Sequence, residues 1–68
     1  MKAFEIRLAT QHRNNARHVK NLQAFCEDKS RFTRLDPEDQ ALILSQLELM
    51  TKLDSILEER MRRLKLPV

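Results

Sequence analysis

Pro37 constrains this chain more than any other residue. It lies near the middle of 68 residues, and the only other proline is Pro67. Proline has no amide hydrogen to donate and pushes the residue before it out of the helical region, so a helix cannot run unbroken through "LDPEDQ". One can start there. Asp36 is a natural N-cap, Pro37 suits the first helical position, and Glu38 and Asp39 suit the positive end of a helix dipole. The pattern predicts a helix over about 37–65, closed by the cations of "RMRRLK" before Pro67.

Upstream of that break the stretch from Lys2 to Lys29 holds no proline, and the whole chain holds no glycine. Tight hairpin turns and phosphate-cradling loops therefore lack their usual residue. Leu, Arg, Glu, Gln, Lys and Ala dominate, and all favour helix. A first helix over about 2–29 and a loop over about 30–36 complete the chain. Both helices would be about 40 Å long at ~1.5 Å per residue. Equal lengths and a short loop predict a single all-α domain over 1–68, a two-helix antiparallel hairpin. Phe32 and Leu35 are expected to fold back over the loop end.

The faces of the helices predict more than a hairpin. In the first, Leu8, His12, Asn15, Val19, Leu22 and Cys26 follow a heptad seam. Its polar members, His12 and Asn15, are of the kind that fixes register at a cost in stability. In the second, Ile43, Met50, Leu57 and Leu64 repeat every seven residues, with Leu42, Leu49 and Ile56 in a second row and Leu47, Leu53 and Met61 between. This apolar arc spans about 180°, where one core-facing side needs about 100°. One partner helix cannot cover it. The expectation is a homodimer forming a four-helix bundle, its core built from Ile43, Leu47, Met50, Leu53, Leu57, Met61 and Leu64. Gln46 and Arg60 also point into the arc.

The stretch "RLATQHRNNARHVKNLQAF" carries no acid. On a helical wheel Arg13, Arg17 and Lys20 share the side opposite the seam. Three readings stay open: a solvated face partly paired with second-helix acids such as Glu48 or Glu59, a nucleic-acid face, or a face for an acidic protein. The net charge of +3 permits a polyanion without requiring one. Asn14 beside Arg13 and Arg17 supplies residue types that read bases, although no aromatics are interleaved for stacking.

Catalysis is not expected. No nucleophile has a base at suitable spacing, Ser30, Ser45 and Ser55 are isolated, and adjacent Glu58 and Glu59 do not face each other on a helix. Metal and cofactor sites are not expected either, since His12 and His18 point to different sides and no third ligand shares their spacing. Cys26 is the lone cysteine, which rules out an intrachain disulfide and suits a small buried residue in a reducing cytoplasm. No apolar run is long enough for a membrane span. If His12 is buried in the seam, its protonation is unfavourable and the bundle should loosen as pH falls through the histidine range.

"HVKNLQAF", followed by "LILSQLELMTKLDSILEERM", resembles a family of short phage-encoded helical proteins, including one named from a crAss-like phage and small proteins of the exo–xis region of lambdoid phages. The family pattern of Leu-x-x-Phe, an Asp/Glu-rich cap, Leu-Leu-x-x-Gln-Leu-x-x-Met, and Leu-x-x-Arg falls on Leu22 and Phe25, Asp36 to Asp39, Ile43 to Met50, and Leu57 to Arg60. The resemblance implies a non-enzymatic phage accessory protein in the host cytoplasm. It would bind a host or phage regulatory protein and alter host physiology or the lysis–lysogeny decision. The alternative is a dimer similar to the plasmid copy-number regulator Rop, binding nucleic acid through Arg13, Asn14, Arg17 and Lys20.

Overall fold

A computed structural model describes residues 2–68. The chain forms α1 (Ala3–Glu27), a single turn α2 (Lys29–Phe32) and α3 (Pro37–Arg63), with no strand among the described residues. The long helices lie against each other in a rod of 45 × 15 × 15 Å. Early α1 meets late α3: Leu8 packs with Leu57 and Met61, His12 faces Asp54 and Glu58, and Asn15 reaches Met50. The hairpin is antiparallel.

Local chemistry sets the ends. At the start of α1 the Lys2 amide donates to Glu5 Oε1 at 2.9 Å. At the start of α3 Asp36 is extended (φ −71°, ψ 161°) and its carboxylate accepts from the Asp39 amide at 3.2 Å, as the sequence predicts. The first helix stops sooner than 29. Asp28 leaves the helical region, with ψ 89°, and its carboxylate accepts from Ser30 Oγ and Arg31 Nε, both at 2.8 Å. A short acidic side chain that satisfies nearby donors competes with the helix. The result is a break followed by one more turn, so the predicted loop over 30–36 is partly helical.

The second helix also stops short of 65, and for a specific reason. Lys65 takes a left-handed conformation, φ 58°. Its amide donates to the Arg62 carbonyl, and the Leu66 amide reaches back to the Met61 carbonyl, both at 2.9 Å. This is a Schellman cap with lysine where glycine is usual. Leu66 then packs on the Leu8–Leu57–Met61 cluster, the apolar contact that accompanies such a cap.

The core is small. Leu8, Cys26, Phe32, Leu57 and Met61 are its buried apolar residues, and Leu57 is 1% exposed. The heptad seam of α1 does face α3, with Leu8, Asn15 and Cys26 buried and His12, Val19 and Leu22 half-buried. At the loop end Phe32 is buried and stacks edge-on against Phe25, centroids 6.3 Å apart. Arg31 lies over the Phe25 ring at 5.2 Å. Leu35 is half-buried, and its carbonyl accepts from Gln40 Nε2 at 2.7 Å.

Candidate functional site

The residues read as an oligomer core divide between two environments. Leu57 and Met61 are buried within one chain. Ile43, Leu47 and Met50 are half-buried. Leu53 and Leu64 are exposed, and so are Leu42, Leu49 and Ile56 of the neighbouring row. Among the apolar residues that the hairpin leaves open, this second row and Leu53 lie together along one flank of α3.

That flank is part of a larger face. A shallow groove lies between Leu42, Ser45, Gln46, Leu49, Met50 and Leu53. Met50 and Gln46 also line a second groove with His18, Asn21, Leu22 and Phe25. Leu53 and His18 line a third with Ile6, Arg7, Thr10 and Asn14. The shared residues make one continuous surface along the rod. Apolar side chains concentrate on its α3 side and polar ones on its α1 side.

The basic row of α1 lies elsewhere. Arg13, Arg17 and Lys20 are exposed. Asn14 is half-buried on the groove side and accepts from Arg17 Nη2 at 3.3 Å. The four residues proposed as one face thus straddle an edge. Pairing of the basic row with second-helix acids does not occur: Glu48 pairs with Lys52 at 3.1 Å and Glu59 with Arg62 at 3.0 Å. These are turns of the same helix, where partners three and four apart meet at little entropic cost. Among the described residues, Arg13, Arg17 and Lys20 form no ion pair.

The seam also assembles a group invisible to spacing along one helix. His12 Nε2 lies 3.4 Å from Glu58 Oε1 and 3.6 Å from Asp54 Oδ1. His12 therefore faces two carboxylates across the seam. Asp54 and Glu58 are four apart, hence stacked on one face of α3. Their signal in the sequence is that position within the apolar arc, opposite a seam histidine once the antiparallel register is known.

Elsewhere three hydroxyls serve the backbone and one a side chain. Thr33, Thr51 and Ser55 each donate to the carbonyl four residues earlier, and Ser30 donates to Asp28. No helix of the described chain is long and apolar enough to cross a membrane.

The described residues thus form a small all-helical hairpin with an open apolar flank and a separate basic row. The sequence pattern of the Sequestin family matches residues 2–63, and the chain belongs to that family. No curated protein and no solved structure matches the chain.

Proposed function

We propose that the chain is a non-enzymatic, phage-encoded binding protein of the host cytoplasm that acts as a homodimer and holds a host or phage regulatory protein. The observation that carries this reading is the open row on α3, where Leu42 is 67%, Leu49 65% and Ile56 57% exposed. Burial of apolar surface stabilises by about 25 cal/mol per Å². A hairpin whose own core is so small gains comparatively much by covering that row with a second copy. The dimer leaves the basic rows of α1 outward, free to engage a partner.

A second reading has its own support in the unpaired Arg13–Lys20 row: a Rop-like dimer that grips nucleic acid. Capture of partners from host lysate, with and without nuclease, separates the two. A defined protein retained after nuclease and at moderate salt supports the first. Loss of all captured material after nuclease, with binding that falls steeply with salt, replaces it by the second. Sedimentation tests the dimer, and a concentration-independent monomer at micromolar protein refutes it.

A further inference from the structure

We propose that His12, Asp54 and Glu58 form a binding site for one divalent transition cation of the zinc type per chain. The proposal stands apart from the dimer and from any partner, since all three residues belong to one hairpin.

Three donor atoms from two helices converge within 4.8 Å of one another. The separations from His12 Nε2, 3.4 and 3.6 Å, are close to the edge of a tetrahedron with bonds of ~2.0–2.1 Å, which is about 3.3–3.4 Å. An imidazole nitrogen with two carboxylate oxygens is a donor set for zinc and its neighbours. Magnesium and calcium instead take oxygen ligands, six or more for calcium. Three protein ligands would leave a fourth position for water.

A second observation concerns Asp54. Its Oδ1 is buried and has no hydrogen-bond partner among the described residues. Nε2 of His12 can carry a single hydrogen, and Glu58 Oε1 lies at hydrogen-bond distance from it. Whichever charge His12 carries, one N–H at Nε2 cannot serve both carboxylates well. A cation between them, with Nε2 as a neutral ligand, supplies the partner that Asp54 lacks. Glu58 is already oriented for this, because its other oxygen accepts from Arg62 Nη2 at 3.3 Å. Ligand carboxylates held from outside in this way bind metal more tightly.

The test is zinc titration of the metal-stripped full chain by calorimetry, with magnesium and calcium in parallel. The nitrogen resonances of both histidines are followed by NMR on the wild-type protein. The expected result is saturation at one zinc per chain, with His12 Nε2 shifting and His18 unmoved. Magnesium and calcium should show no comparable uptake. His12→Ala and the isosteric Asp54→Asn should each lower zinc affinity tenfold or more, while His18→Ala and Cys26→Ser leave it unchanged. Absence of saturable uptake overturns the proposal. So does a shift confined to His18, affinity that follows Cys26, or equal zinc binding by wild type and both ligand variants. The wild-type NMR arm decides the matter even if a variant fails to fold.

Discussion

Asn15 reaches across the hairpin and donates from Nδ2 to the Met50 carbonyl oxygen at 3.0 Å. The residue is 9% exposed. A sliding helix would leave this amide buried without a partner, at a cost of about 1–3 kcal/mol. The bond therefore holds one register against its neighbours. Asn15→Leu is expected to keep or raise the urea midpoint while loosening that choice, seen as doubled amide resonances or mixed oligomers. Asn15→Ala should lower stability by about 1 kcal/mol.

Leu57 has no room to adapt. It is the most completely buried side chain, and it packs on Leu8 and Met61. Leu57→Ala should cost ~2–5 kcal/mol, comparable to the whole stability of a domain this size. Circular dichroism is expected to show a largely unfolded chain at 37 °C, whereas Leu44→Ala, on an exposed position of the same helix, should melt near wild type.

The left-handed Lys65 offers the reverse experiment. A side chain in that conformation costs roughly 1–2 kcal/mol that glycine avoids. Lys65→Gly should raise the thermal midpoint and leave the Leu66–Met61 bond in place, visible as a protected Leu66 amide. A lower midpoint would show that the Lys65 side chain has a stabilising role of its own.

Asp28 gives the α1–α2 junction a pH dependence whose sign is fixed. Hydrogen bonds from the Ser30 hydroxyl and then Arg31 hold its carboxyl below the ordinary value of 3.8. A depressed folded value means the contribution is complete above the unfolded value and lost as pH falls from there through the folded one. Protection from hydrogen exchange, taken relative to the unstructured rate at each pH, should fall over that range at the Arg31 and Phe32 amides, both bonded to the Asp28 carbonyl. Asp28→Asn should remove the effect and leave the acid response of α3 unchanged.

The open row on α3 predicts how the dimer would be broken. Leu49→Lys with Ile56→Lys places charges where the proposed partner copy sits. The melting temperature of the wild type should rise with protein concentration, and that of the double variant should not. Arg13→Glu with Arg17→Glu should leave this concentration dependence intact and reduce only binding to an acidic or nucleic-acid partner.

How much of this was legible in the sequence depended on how local the chemistry was. Asp36 and Pro37 announce a helix start because a cap needs only its own neighbours. The α1 seam is visible because its period is written along one element. Asp28 is harder to read: aspartate is common near helix ends, and what ends α1 is the convergence of Ser30 and Arg31 on it. The same holds for Lys65, since a Schellman cap without glycine carries no compositional mark. His12 with Asp54 and Glu58 is a property of two helices in register. Spacing within either helix cannot reveal it, and counting histidines alone points away from it.

At 15 Å across, the rod has no side chain more than one layer from water. Its cohesion accumulates along the axis and not with volume. Such a molecule can change length in matched steps of one heptad on each helix, each step adding or removing a similar increment of buried seam. The Asn15–Met50 bond and the His12 group would stay in place as fixed marks from which the added turns are measured.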